Sequence, residues 1–170
     1  MSRLREVSDE IIDYQSPSVQ SYHDGLSMLA QDTNMDLLIV EDDMILREPV
    51  PVQDWKRVSG IVVALYKIRR TSMYCARVEE YVSYFVVDGR FQWFDRNIDE
   101  RDLAKGERYI RVTLTGFGCT LIRRECVSLL KYANQVNTPL KADTQFVQAC
   151  HKHCVPMHVD SRYRAGHYDR

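Results

Sequence analysis

The stretch DLLIVEDDMIL, Asp36 to Leu46, decides the reading of this chain. Four apolar residues, Leu37–Val40, run straight into three carboxylates, Glu41, Asp42 and Asp43, before the chain turns apolar again. The unbroken apolar run predicts a strand buried on both faces. Adjacent acids repel one another, so three of them at a strand end call for a cation or a set of donors. In an extended chain side chains alternate, so Glu41 and Asp43 face one way and Asp42 the other. Hard divalent cations such as Mg²⁺ or Mn²⁺ take carboxylate oxygens and are completed by waters and substrate phosphates. A solvated loop that merely ends the strand is the plain alternative.

Composition narrows what such a cluster serves. With 170 residues, 45% apolar and 28% charged, the chain suits one folded domain over 1–170. A net charge of −1 argues against a nucleic-acid surface driven by bulk charge. No apolar run approaches the ~20 residues that span a bilayer, and the polar start MSRLREVSDE is no signal peptide. Five cysteines in no framework-like spacing read as reduced thiols, which points to the cytoplasm.

Working outward, residues 3–13 and 18–31 carry helical periodicity, separated by the turn-forming Ser16-Pro17-Ser18. VQDWKRV reads as a helical turn or two, and GIVVALY, Gly60 to Tyr66, as a second buried strand. Asp88-Gly89 marks a hairpin, because that dipeptide accepts the positive φ of a tight turn. DRNIDERDLAKGE reads as a polar loop, Tyr109–Leu114 as a strand, and the chain from about Arg124 as helix. Ala142–Cys154 is a long helix and Val155–Val159 a closing strand. Alternating helices and buried strands predict an α/β fold with a mixed, mostly parallel sheet flanked by helices, the Asp36–Val40 strand central. Ligands of such sheets bind beyond the carboxyl ends of the strands, where the acids sit.

Three segments in order resemble the GT-A glycosyltransferases. DLLIVEDDMIL is similar to their strand and DxD motif. LTGFGCTLIRRE, Leu114 to Glu125, is similar to their glycine-containing segment at the donor and acceptor pocket. KADTQFVQACHKHCVPMHVD, Lys141 to Asp160, is similar to their acid-bearing helix start and closing strand. The resemblance spans roughly 18–167 and implies a GT-A-like, Rossmann-like fold with an abbreviated N-terminal part, since only 35 residues precede Asp36. It also implies transfer of a sugar from a nucleotide-diphosphate donor to a hydroxyl of a glycan or glycoprotein, with Mn²⁺ or Mg²⁺ and inversion of configuration. Asp43 would be the direct metal ligand, with Glu41 near the ribose or a bound water and Asp42 the middle member. His167 would complete the metal site, with His158 second in line. Asp143 matches the general base, although Ala142 stands where the family often has an acid. Gly116, Phe117 and Gly118 would line the pocket, as would Gly25, in a helix where glycine costs ~1 kcal/mol.

Several residues also have plainer readings. Asp143 at a helix start caps free amides. Arg162 and Arg164 match diphosphate oxygens or belong to an ordinary basic tail. CHKHC, Cys150 to Cys154, reads as a helix face rather than a zinc site, because no second ligand pair accompanies it. Gly116 and Gly118 lack the third glycine of a dinucleotide fingerprint. Tyr81, Tyr84, Phe91 and Trp93 read as hairpin core. Two other functions use the same acids: a Mg²⁺-dependent nucleotidyltransferase, and a non-catalytic module that binds nucleotide-sugars.

Overall fold

The computed structural model describes residues 24–26, 28–29, 31, 34–71, 77–81, 83–84, 98–134 and 142–168. The helix expected over 3–13, the Asp88-Gly89 turn, Phe91, Trp93 and Cys75 lie outside them. Of the second expected helix, 24–26 and 28–29 are described and helical.

Five strands form the main sheet: β1 (Leu37–Val40), β3 (Ile61–Leu65), β7 (Tyr109–Val112), β9 (Cys119–Ile122) and β10 (Met157–Arg164), in the order β1-β9-β3-β10-β7. Short ribbons pair β2 (Met44–Ile45) with β11 (Gly166–His167), β4 (Lys67–Thr71) with β5 (Arg77–Tyr81), and β6 (Ser83–Tyr84) with β8 (Leu114–Thr115). The helices are α1 (Val52–Trp55), α2 (Glu100–Ala104), α3 (Arg124–Val127), which continues into a 3₁₀ segment (Ser128–Asn134), and α4 (Ala142–Lys152). Among the described residues, no helix is long and apolar enough to cross a membrane.

The chain is α/β, but two expectations about its sheet are corrected. Among the described residues the sheet is mostly antiparallel: β3 and β10 pair in parallel, while β9 opposes β1 and β3, and β7 opposes β10. Moreover β1 stands at one end of the described strand order, and the centre belongs to β3, buried at every position. An apolar run reports burial on both faces, and a strand wedged between neighbours is buried whichever way they run. The half-buried Leu37–Val40 fits an end position. One feature of the expectation persists in the directions. Because β9 reverses between them, β1, β3 and β10 all point the same way. Their carboxyl ends and the start of β9 therefore share one edge of the sheet.

Other boundaries moved for local reasons. The polar loop before β7 contains α2, nucleated by a capping box. Asp99 accepts from the N–H groups of Arg101 (2.9 Å) and Asp102 (3.1 Å), and Asp102 accepts from the Asp99 N–H. Gly60 opens β3 at φ +81°, where any side chain would collide with the Pro156 carbonyl.

Two carboxylates anchor the frame. Asp36, just before β1, accepts from Arg123 Nε (3.0 Å) and the Arg124 N–H (2.9 Å), which pins β1 to the start of α3. Burial pushes its pKa up, but these donors and nearby Lys56 outweigh it and hold the carboxyl below the ordinary aspartate range. Asp160 on β10 is completely buried. It accepts from Trp55 Nε1 (2.8 Å), the Arg162 N–H (3.1 Å) and the Arg108 guanidinium (3.2 Å), which also reaches Asp54. A buried charge is tolerable only with its partners in place. Asp160→Ala is expected to cost about 3–5 kcal/mol by chemical denaturation. Asp54→Ala, at the solvent end of the same arginine, is expected to cost under ~1 kcal/mol.

Candidate functional site

The acids sit where the shared strand edge begins. The Glu41 N–H extends the β1–β9 ladder by one bond, to the Gly118 carbonyl at 2.8 Å. The chain then turns: the Met44 N–H closes back on the Glu41 carbonyl at 3.1 Å. The three acids are thus folded into a tight turn, not extended as expected, because β2 must reverse to meet β11. The turn nevertheless separates them in the expected sense, with Glu41 and Asp43 half-buried and Asp42 exposed.

The C-terminal return reaches this turn through a bulge. Pairing of β10 with β3 stops at Asp160–Ala64 and resumes at Arg164–Leu65, so residues 161–163 are looped out. Tyr163 in the bulge turns inward, packs edge-on against Trp55 and donates its hydroxyl to the Glu48 carbonyl at 2.8 Å. The chain is thereby aimed across the sheet edge. Strand β11 pairs with β2, His167 opposite Met44, and the Tyr168 N–H donates to the Asp43 carbonyl at 2.7 Å. His167 Nε2 then stands 3.3 Å from Asp43 Oδ2. The other oxygen, Asp43 Oδ1, is buried and accepts no hydrogen bond from any described group.

Tyr66, which follows β3, fills the space between these segments. Its ring lies almost parallel to the His167 imidazole, with centroids 6.1 Å apart and planes at 11°. On another side it meets the Gly118 backbone so closely that a Cβ there would stand 2.7 Å from the ring and 2.9 Å from Met44 Sδ. Burial above all, then the charges of Glu41, Asp143 and Asp43, push the Tyr66 phenol pKa far up, against a downward pull from the nearby Gly118 backbone, so it stays protonated. The phenol therefore shares one electrostatic environment with carboxylates from two distant segments.

Asp143 belongs to the first turn of α4, half-buried, and accepts from the Thr144 N–H (2.7 Å) and hydroxyl (3.3 Å). It satisfies a helix-start amide, as the capping reading expects, and its charge also reaches the Tyr66 phenol. The buried Gly116-Phe117-Gly118 loop is tied down by the Thr120 hydroxyl, which donates to the Phe117 carbonyl (2.8 Å). Phe117 itself packs on Phe146 in the core. Gly25 is buried in its helical turn.

Other candidates stand elsewhere. His158 lies mid-strand opposite Val62 and Arg111, and burial, then Arg111, lowers its pKa. Arg162 and Arg164 are exposed on β10. CHKHC is a helix end: Cys150 is core, His151 Nε2 meets the Thr113 carbonyl at 2.6 Å, and Cys154 terminates the turn at φ 56°. Cys119, Cys126, Cys150 and Cys154 are free thiols, and burial lifts Cys119 and Cys150 to about 12.

Among the described residues, no group of three His, Cys, Asp or Glu side chains is placed to hold a metal ion. What meets at the turn is a pair: Asp43, whose buried Oδ1 accepts no hydrogen bond from a described group, and His167, 3.3 Å from its other oxygen. That chemistry fits Mg²⁺ or Mn²⁺, which bind through one or two carboxylates and leave most positions to water and phosphate. Sequence reasoning missed Tyr66. Its signal was a lone phenol at the carboxyl end of an otherwise aliphatic strand.

No family model matches this chain, and no curated protein matches it. Among solved structures, the crystal structure of A197 from STIV is similar in fold, with TM-score 0.54 and 16% identity over 94% of this chain and 72% of that one. At that identity the likeness speaks to the α/β fold.

Gly118→Ala is expected to destabilise the protein by about 1–3 kcal/mol, since neither the Tyr66 ring nor the paired backbone can retreat. Urea denaturation of the variant checks it.

Proposed function

We propose that this chain is a metal-dependent glycosyltransferase of the GT-A type, which moves a sugar from a nucleotide-diphosphate donor to a hydroxyl of a glycan or glycoprotein. One observation carries the reading: the charges of Glu41, Asp43 and Asp143 all bear on the Tyr66 phenol at one edge of the sheet, and His167, whose ring lies alongside that of Tyr66, stands 3.3 Å from Asp43. The order of the matching segments supports it, and so does an α/β fold with three codirectional strands ending at that edge.

In this reading Asp43 and His167 would hold the metal, with Glu41 on a water or a ribose hydroxyl. The metal, when bound, offsets the negative charge that builds on the departing diphosphate. Asp143 takes the proton of the acceptor hydroxyl as its oxygen attacks the anomeric carbon, and the carbon–diphosphate bond breaks in the same displacement. Single displacement inverts the configuration. The protonated Tyr66 adds no charge to a site already rich in carboxylates.

A thermal-shift screen of nucleotide-sugars with and without Mn²⁺ tests the class: stabilisation by a donor only with metal is expected. Asp43→Ala is expected to abolish Mn²⁺-dependent donor binding by calorimetry, while Asp42→Asn, on the exposed corner, retains most of it. Equal loss in both would reverse the assignment of the turn.

Asp143→Asn is expected to keep donor binding and fold, and to lower turnover by about 10²–10⁴. NMR of the wild-type product is expected to show the inverted anomer. Near-native turnover in the variant would leave Asp143 as a helix-start acceptor alone.

A further inference from the structure

Strands β2 and β11 form a ribbon two residue pairs long, with Gly166 opposite Ile45 and His167 opposite Met44. A strand pair that short is marginal by itself. Its tip nevertheless brings Asp43 Oδ2 and His167 Nε2 to 3.3 Å, so both ends of the ribbon have to be fixed. At the tip, the Tyr168 N–H donates to the Asp43 carbonyl at 2.7 Å. At the base, the two legs leave for separate parts of the fold.

There the Tyr163 hydroxyl donates to the Glu48 carbonyl at 2.8 Å and joins one leg to the other. Both partners stand on stiff chain. Glu48 precedes Pro49, which favours extended backbone, and Val50 beyond it is buried. On the other leg, Tyr163 belongs to the three-residue bulge. The buried Asp160 carboxylate folds back to accept the Arg162 N–H at 3.1 Å. Ser161 donates its N–H to the Arg108 carbonyl (2.8 Å) and its hydroxyl to the Glu107 carbonyl (2.7 Å). The Tyr163 ring is buried edge-on to Trp55, with centroids 5.6 Å apart. Past the bulge, the Ala165 N–H returns to the Leu65 carbonyl at 3.0 Å. A firmly held donor thus meets a firmly held acceptor where the legs diverge.

We infer that Tyr163 is a positioning residue of the acid turn: its hydroxyl fastens the base of the β2–β11 ribbon and so keeps His167 beside Asp43. This deepens the metal-site reading and rests on it for its consequence. The fastening itself belongs to the metal-free protein and is measurable there. If Tyr163 served only the core, its ring would suffice and the tip would not sense the hydroxyl.

Amide exchange of the metal-free protein, followed by NMR, separates the two roles. Tyr163→Phe keeps the ring on Trp55 and removes the donor. The Tyr168 amide, at the tip, is expected to exchange about 5-fold faster, the usual worth of one hydrogen bond expressed as local opening. The Glu41 amide, bonded to the Gly118 carbonyl at the end of the β1–β9 ladder, is expected to keep its wild-type rate. Glu48→Ala is expected to leave both rates alone, because the acceptor is a backbone carbonyl and the side chain is exposed. Equal acceleration of both amides, or of neither, would overturn the inference. So would release of the tip by Glu48→Ala, or a Tyr163→Phe variant that does not fold.

The consequence is read with MnCl₂ alone, from paramagnetic broadening of assigned resonances near Met44. Tyr163→Phe is expected to weaken Mn²⁺ binding about 10-fold, the usual effect of loosening what supports a ligand. Unchanged Mn²⁺ affinity in a variant whose tip is released would overturn the positioning role and leave the metal site standing. If the wild-type protein shows no broadening, the metal reading falls, and the exchange rates still decide whether the hydroxyl fastens the ribbon.

Discussion

The contact between the Tyr66 ring and the Gly118 backbone is the constraint on which the site depends. It joins the end of β3 to the start of β9, and the Gly118 carbonyl in turn receives the first amide of the acid turn. One residue thus meets the tyrosine ring at its Cα and the acid turn through its carbonyl. A larger residue would force apart the segments that carry the candidate chemistry. Glycine is required there by closeness of approach, since Gly118 carries no positive φ.

Around that contact, strand direction matters more than strand pairing. Among the described residues the main sheet has four strand pairs, one of them parallel, yet β1, β3 and β10 end on the same side. That common edge collects Glu41–Asp43 from β1, Tyr66 from β3 and, after the bulge, His167 from beyond β10. The bulge is held by Tyr163 on Trp55, and Trp55 by the buried Asp160. A carboxylate placed deep under the sheet therefore helps to aim a histidine at its rim. Burying Asp160 is costly unless every partner stays, which makes this geometry stiff.

Much of the fold was legible residue by residue. The aliphatic runs LLIV and IVVAL became β1 and β3, the segment from Ala142 became α4, and the acids fell at a strand end facing one edge. The α2 turn was hidden because an Asp-x-x-Asp capping box resembles loop composition until both carboxylates are seen bonded to backbone amides. Pairing direction was hidden because hydrophobicity reports how deeply a strand is buried, not which way its neighbours run. CHKHC ends a helix, in keeping with its reading as a helix face, while the ring of Phe117, expected to line the pocket, packs on Phe146 in the core, since packing partners are not written in local spacing.

By itself the sequence determined the elements whose cause is local: buried strands from continuous apolar runs, a helix from its period, and a knot of acids at a strand end. Only the tertiary structure decided that Asp43 and His167, 124 positions apart in the chain (167 − 43), stand 3.3 Å from one another, and that Tyr66 lies between Gly118 and that histidine. Those meetings depend on a bulge of three residues and on the absence of one side chain at Gly118. Neither changes the local hydrophobic pattern, and each acts only once distant strands have been laid side by side.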